Sequence, residues 1–359
     1  MINKYNRIIR YFIKCCRIIA VIFLSFNNKN IPGLGHQEKK IWLKNFRKRA
    51  FTRSGSRFYS VLKEFLDSDI RVEKKLNFKT NNSLILICVI KNDLEKLKVF
   101  FEHYRKLGIN QFAFLDDKST DGTREYILSQ NDTELFTVSK DYKNLLRIAW
   151  INRILAYYGF NRWYLVVDSD ELLVFDNFEN RSLTDFIISL NNENITAASG
   201  IMIDMYPKIA YTNCQEKSGI YDNMDYFDKS GYFQNKLSEI SGGMRYRCFN
   251  IQLILEKTPL FYLDNKTIFD THSIFPFNKN FQKNKNSVAL LHYKFLPEDY
   301  YKYKERVELG NMSFGSIEYK AYMKIINENN PISFYDENIS EKYTGSNSLI
   351  KHNLLSEQF

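Results

Sequence analysis

A chain of 359 residues can bury a large core, either as one big domain with extensions or as two smaller ones. Its 44% hydrophobic and 16% aromatic content fit a folded globular protein and exclude a low-complexity or disordered one. The net charge of +10 sits at one end: residues 1–80 hold 19 Lys and Arg against five Asp and Glu, and the rest of the chain holds 32 against 36.

The basic end opens MINKYNRIIRYFIKCCRIIAVIFLSF, with Arg7, Arg10, Lys14 and Arg17 at helical spacing among apolar residues. Its longest uncharged stretch, Ile18 to Phe26, is nine residues, far short of the ~20 needed to cross a bilayer. No small-x-small cleavage site follows, which disfavours a signal peptide. Such a helix is expected to lie on an anionic membrane surface, with Arg47 to Arg57, Lys74, Lys75 and Lys79 adding attraction, and not to bind nucleic acid. The five cysteines show no C-x-x-C spacing, so neither a zinc set nor a disulfide framework is expected, and a reducing cytoplasm is the simplest compartment.

From residue 84 strands and helices alternate. The apolar run Leu84 to Ile90 predicts a buried strand, and Leu94, Leu97, Phe100, Phe101, Tyr104 and Leu107 predict a helix stopped by Gly108. A strand at 111–115, a turn cluster at 116–123, a helix at 124–129 and a strand at 135–138 follow. A helix over 143–158, closed by Gly159, then leads to a strand at 163–167. This order predicts an α/β protein with a mostly parallel, Rossmann-like sheet flanked by helices. Beyond it we expect a helix near 183–190, strands at 197–205, 249–255 and 287–292, a charged helix at 297–309, a loop-rich insertion at 206–240 and a partly ordered tail at 331–359.

Four polar clusters follow predicted strands: Lys91-Asn92-Asp93, Asp116 to Thr123, Lys140 to Lys143, and Asp168-Ser169-Asp170-Glu171. Carboxyl ends of parallel strands share one edge, so these clusters should converge on one crevice. Carboxylates after the first two strands suit hydroxyl and imide donors of a nucleoside. Asp168 and Asp170, one residue apart, suit a hard divalent cation holding a diphosphate. No G-x-G-x-x-G and no G-x-x-x-x-G-K-[ST] occurs, which disfavours a dinucleotide site and removes a P-loop. His292, ending the run VALLH, is a candidate third metal ligand, with His272 a weaker one. Arg245 and Arg247, after Gly242 and Gly243, are candidates to meet phosphate oxygens, the glycines allowing close approach.

Cys88 to Asp93, DDKSTDGT and WYLVVDSDELLVF resemble the nucleotide-binding half of glycosyltransferase family 2 enzymes with the GT-A fold. GIMIDMYP, YFD, SGGMRYRCFN, EKTPL, THS and ALLHYKFL are similar to one bacterial branch of that family. The likeness spans roughly residues 84–320. It departs at Asp93, where the family usually has Glu. The resemblance implies a basic N-terminal extension (1–80), a transferase domain (81–320) with a nucleotide-binding half (81–175) and an acceptor half (176–320), and a C-terminal tail (321–359). It implies that Asn92, Asp93, Asp117 and Asp121 hold the nucleoside, with Lys91, Asp116 and Ser169 beside them, and that Arg147 and Asn152 touch the nucleotide. It implies Asp168 and Asp170 on Mn2+ or Mg2+, with a UDP-sugar donor, a glycan or glycolipid acceptor and an inverting reaction at the inner face of the cell membrane in surface-polysaccharide assembly. Asp204 is the leading general base, with Asp228 and Asp225 as rivals. A nucleotidyltransferase or a non-catalytic membrane-associated binding protein are the alternatives.

Overall fold

The computed structural model describes residues 15, 16, 19, 31, 34–52, 57–78, 83–210, 221, 223–234, 239–281, 286–296, 299–310, 313–329 and 331–357. The N-terminal amphipathic helix falls almost wholly outside them, and only positions 15, 16 and 19 are described, each helical.

In chain order the helices are α1 (His36–Ala50), α2 (Phe58–Leu66), α3 (Leu94–Lys106), α4 (Thr123–Ser129), α5 (Asn144–Tyr158), α6 (Leu183–Asn192), α7 (Gly243–Phe249), α8 (Asp299–Leu309), α9 (Ser313–Glu328) and α10 (Ser346–Ile350). The strands are β1 (Arg71–Lys74), β2 (Ile85–Ile90), β3 (Phe112–Asp116), β4 (Thr133–Thr137), β5 (Arg162–Val166), β6 (Glu171–Val174), β7 (Ala197–Asp204), β8 (Tyr226–Asp228), β9 (Tyr232–Gln234), β10 (Ile240–Gly242), β11 (Glu256–Leu263), β12 (Ile268–Asp270), β13 (Ser273–Phe275), β14 (Val288–His292) and β15 (Ser340–Lys342).

Nine strands form one sheet in the order β1-β4-β3-β2-β5-β11-β7-β14-β6. β4, β3, β2, β5, β7 and β14 run the same way, whereas β1, β11 and β6 run against them. The chain is therefore an α/β protein with a mostly parallel sheet, as its strand and helix alternation predicts.

Alternation along β2 shows why the sheet is covered on both faces. Leu86, Cys88 and Ile90 pack under Leu97, Phe100, Phe101 and Tyr104 of α3, while Ile85 and Ile87 face Trp150 and Ile154 of α5. The second face also takes Trp42 and Phe46 of α1 and Phe58 and Phe65 of α2, all fully buried. At roughly 1.5–3 kcal/mol per buried aromatic side chain, these helices are part of the core. The basic residues there are partly engaged too: Arg49, 1% exposed, and Arg57 both pair with Asp270, and Lys74 Nζ donates to Leu128 O at 3.0 Å. Of these three cations only Arg49 is buried.

Three other expectations change. Residues 249–255 do not form a strand: Phe249 ends α7, and the strand at this place in the sheet is β11. β6 was not foreseen, because its four residues reverse direction immediately after the acidic turn. The C-terminal segment is integrated, since β15 pairs with β8 and Leu349, Leu354 and Leu355 are buried in the main core. A third cluster, rich in aromatic residues, joins Tyr206, Phe249, Phe295, Tyr303, Tyr319, Tyr322 and Phe334 and seats α8 and α9 beside the sheet edge.

Candidate active site

β2, β3, β5, β7 and β14 end at the same sheet edge. The loops that leave this edge are tied to each other. Asn92, at φ +54°, donates its N–H to Ser119 Oγ at 2.9 Å, and its Oδ1 accepts from Thr120 N at 2.8 Å. Asp93 Oδ2 accepts from Ser169 Oγ at 2.8 Å, which joins the first loop to the D-S-D turn. That turn closes through Glu171 N donating to Asp168 O at 3.1 Å. Antiparallel pairing of β6 with β14 and parallel pairing of β14 with β7 set Glu171, His292 and Asp204 side by side.

One pocket opens over this edge, and most of the nucleotide residues expected from the sequence line it: Lys91, Asn92, Asp93, Asp117, Arg147, Asp168, Ser169, Asp170 and His292. The far wall comes from α8 and α9, with Asp299, Lys302, Tyr303, Glu305, Arg306 and Tyr319. Lys96 and Lys294 line the pocket as well, and none of these residues carries a site signal in the motifs above. Lys96 is one turn along α3 from Asp93, a spacing that could have signalled it.

Charges in the wall are matched in pairs. Asp168 meets Arg147 and, at 3.0 Å, Lys257. Lys257 also meets Glu171 at 2.5 and 2.7 Å. Burial alone would raise the Asp168 pKa, but Arg147 and Lys257 outweigh it and hold the carboxyl well below its usual range. Burial likewise opposes the Lys257 charge, and Asp168 and Glu171 overcome that and raise its pKa. Lys96 Nζ lies 3.0 Å from Asp299 and 3.8 Å from Asp170. Lys302 contacts Asp93 at 2.8 Å, and Lys91 contacts Glu305 at 3.1 Å.

Asp117 is different. It is 2% exposed, its backbone N–H donates to Ile90 O at 2.9 Å, and its Oδ1 is buried without a hydrogen-bond partner. Burial pushes its carboxyl up to about 6, with Lys118 and Lys91 opposing. A buried acceptor left open in a pocket wall matches a ligand that brings an N–H or O–H donor.

Several candidates are placed elsewhere by the structure. Asp204 is 3% exposed and outside the pocket lining, with Oδ1 2.7 Å from His292 Nδ1 and Oδ2 2.8 Å from Arg245 Nε. Burial would raise its pKa, but Arg245 and His292 lower it, so it is a weak base committed to holding the imidazole. Asp228 is 2% exposed and accepts from Arg247 at 2.6 and 2.9 Å and from Tyr206 OH at 2.5 Å, which removes it too from the base role. Arg245 and Arg247 are thus engaged with carboxylates and are not part of the pocket lining. Gly242 and Gly243 serve packing: a Cβ at Gly242 would fall 2.2 Å from Gly231 O, and one at Gly243 2.7 Å from the Tyr232 ring. Asn152 is fully buried and joins α5 to β12 through both the N–H and the carbonyl of Phe269 at 3.0 Å. Asp121 accepts from the N–H groups of Leu94 at 3.2 Å and Thr123 at 3.0 Å, and Asp116 from that of Ser119 at 3.2 Å. These are loop-shaping bonds. Asp225 pairs with Lys342 at 3.0 Å.

Among the described residues no three His, Cys, Asp or Glu side chains converge as a ready metal-ligand set. Two donors do fit. Asp170 Oδ2 and His292 Nε2 lie 3.9 Å apart in the pocket wall. A proton on Nδ1 donates to Asp204 and leaves Nε2 turned toward Asp170. A carboxylate oxygen and an imidazole nitrogen suit Mn2+ or Mg2+, with substrate oxygens and water supplying the rest. Asp168 lines the same pocket with one cation on each carboxylate oxygen, Arg147 on Oδ1 and Lys257 on Oδ2 at 3.0 Å. His272 is half-buried and held neutral, its pKa lowered first by desolvation and then by Lys257.

No protein-family model matches the chain, and no curated protein matches it. Several solved structures show limited likeness, three of them as follows. Glucosyl-3-phosphoglycerate synthase from Mycobacterium tuberculosis, in complex with Mn2+, UDP and glucosyl-3-phosphoglycerate, matches at 15% identity over 38% of this chain, with a TM-score of 0.24. The chain spans about half of it, 48%. HddC from Yersinia pseudotuberculosis matches at 11% identity, 62% of this chain and 97% of that one, TM-score 0.32. Apo UDP-glucose pyrophosphorylase matches at 10% identity, 59% and 90%, TM-score 0.28. Likeness at this level carries no argument about chemistry.

Proposed function

We propose that the protein transfers a sugar from a nucleotide-sugar donor, a UDP-sugar in the first instance, to a hydroxyl of a glycan or glycolipid in surface-polysaccharide assembly. The observation that carries this reading is one pocket with an open buried acceptor, Asp117, on one side and Asp168, Asp170 and His292 on another. A nucleoside diphosphate presents donors at one end and anionic oxygens at the other. The motif series resembling family 2 glycosyltransferases supports the same reading.

In this account Asp117 takes a donor of the base or ribose, and Asn92 and Asp93 shape the wall beside it. Asp170 and His292 would hold Mn2+ or Mg2+, which supplies charge neutralisation at the departing diphosphate. Asp204 acts on the site through His292, fixing the ring. Arg147 and Lys257 keep Asp168 ionised. The acceptor hydroxyl attacks the anomeric carbon as the C–O bond to the nucleoside diphosphate breaks on the opposite face, as in inverting enzymes, and its proton passes to a pocket carboxylate or to water.

Among the described residues no helix is long and apolar enough to cross a membrane. We place the protein at the anionic inner face of the cell membrane through the basic arm of residues 1–80.

The test incubates the full chain with Mn2+ and either UDP-sugars plus lipid-linked or free glycan acceptors presented with anionic vesicles, or, in a parallel reaction, nucleoside triphosphates plus sugar 1-phosphates. It follows UDP release, pyrophosphate and protein co-sedimentation. We expect UDP release that needs an acceptor and falls on the order of 100-fold or more in Asp170→Asn, together with salt-sensitive co-sedimentation. Formation of pyrophosphate from nucleoside triphosphate would instead make it a nucleotidyltransferase. No turnover would leave a binding protein, and no co-sedimentation would remove the membrane placement.

A further inference from the structure

Five of the six cations lining the pocket have a carboxylate within 4 Å. Lys91 has Glu305 at 3.1 Å, Lys96 has Asp299 at 3.0 Å, Arg147 has Asp168, Lys294 has Glu318 at 2.6 Å and Lys302 has Asp93 at 2.8 Å. Arg306 is the exception among the described residues. Its guanidinium Nη1 donates to Tyr319 OH at 2.5 Å and its Cζ sits 4.8 Å from the centroid of the same ring. It carries no ion pair of its own.

The position of Arg306 is fixed from three sides. Lys302, Tyr303, Arg306 and Leu309 of α8 all line the pocket, a spacing that puts them on one helical face. Asp299 and Lys302 dock that helix on the nucleotide-side residues Lys96 and Asp93. Ser316 Oγ donates to Arg306 O at 2.6 Å and links the residue to α9. Burial works against its charge, and the Tyr319 hydroxyl and ring face, both at contact distance, offset part of that. Tyr319 holds one nitrogen of the planar fork, and the side chain lines the pocket. A planar cation held in this way, with no local counter-charge, is complementary to an anion whose oxygens accept two hydrogen bonds at once.

We propose that Arg306 is a phosphate-binding residue of the pocket, taking the diphosphate of the bound nucleotide from the helical wall while Asp170 and His292 face it from the sheet edge. This rests on reading the pocket as a nucleoside diphosphate site. It adds that α8, and not the sheet edge alone, discriminates a nucleotide from a nucleoside. Lys302, one turn away, is paired with Asp93 and plays a lesser part.

Isothermal titration of the full chain with UDP, uridine and inorganic pyrophosphate, at fixed Mn2+, tests the proposal with Arg306→Gln and Arg306→Lys. A charge-assisted contact contributes about 1.5–3 kcal/mol, so Arg306→Gln should weaken UDP about 10- to 100-fold and leave uridine unchanged. Arg306→Lys should recover part of the loss. If Arg306→Gln lowers the melting temperature, the comparison is made on Arg306→Lys, where UDP should still weaken relative to uridine because the fork is lost. An unchanged ratio of UDP to uridine affinity in both variants would overturn the role of Arg306 and leave the nucleotide reading standing. Arg306-dependent binding of pyrophosphate, with no response to UDP or uridine, would keep the anion site and remove the nucleotide. Binding of none of the three by the wild-type chain would overturn both.

Discussion

Asp117 combines burial, an open acceptor and a carboxyl pushed up to about 6, and if it takes a nucleoside donor as proposed, nucleoside binding acquires a pH dependence. A base or ribose donor stabilises the ionised carboxylate, so binding releases a proton at pH values below about 6. Affinity for uridine, which has no phosphate to titrate, should therefore rise from pH 5 to pH 7, by at most about tenfold per unit below 6, and level off above it. Calorimetry in buffers of different ionisation enthalpy measures this directly. Asp117→Asn should flatten the profile, and a flat wild-type profile would remove Asp117 from the nucleoside contact.

The residue scale also shows what a sequence can carry about a site. Acidic clusters after successive parallel strands must share an edge, and Asn92, Asp93, Asp117, Asp168 and Asp170 do meet there. Sequence cannot tell which way a carboxylate at that edge faces. Asp204 is turned onto the buried Arg245, Asp228 onto the half-buried Arg247, and Asp121 and Asn152 onto backbone groups, each satisfied where it lies. Lys257, in the segment EKTPL, carries no sequence signal of its role, because a lysine in an apolar strand does not reveal that two carboxylates wait across the sheet.

At the scale of elements, the close approach of β7 and β14 sets the site. Gly200 faces Val288 in the parallel register that continues to Asp204 and His292. A Cβ at Gly200 would fall 1.6 Å from Val288 O, a backbone atom that moves only with its strand. Gly200→Ala should lower stability by about 1–3 kcal/mol or more in denaturant unfolding, and should also blunt stabilisation by nucleotide with Mn2+ because His292 shifts with β14. An unchanged unfolding midpoint would show that the strands are less tightly set than this. Long periodic elements such as α3 and α5 are legible in the sequence because one apolar face repeats over several turns. β6 and β15, at four and three residues, hold no period long enough to read, and their pairing is decided by partners distant in the chain. The same holds for α1 and α2: their charge draws attention to their surface, while Trp42, Phe46, Phe58 and Phe65 place them in the core.

For the molecule as a whole, the sheet edge and the α8 and α9 wall make a single polar crevice in which acids and bases alternate at contact distance. Such a site is nearly neutral with Arg306 counted, so a dianionic ligand is expected to draw on Arg306, the cation without an ion pair among the described residues, and on a divalent cation at Asp170 and His292 for further positive charge. The most direct test is a thermal-shift titration of the full chain with UDP, GDP and CDP, with and without Mn2+, alongside Asp170→Asn. The account predicts that one nucleoside diphosphate stabilises the protein, by about 2.7 kcal/mol at a hundredfold excess over its Kd. It further predicts that Mn2+ enlarges the shift and that Asp170→Asn loses the enlargement. Absence of a shift with every nucleotide, in the presence of Mn2+, would contradict it.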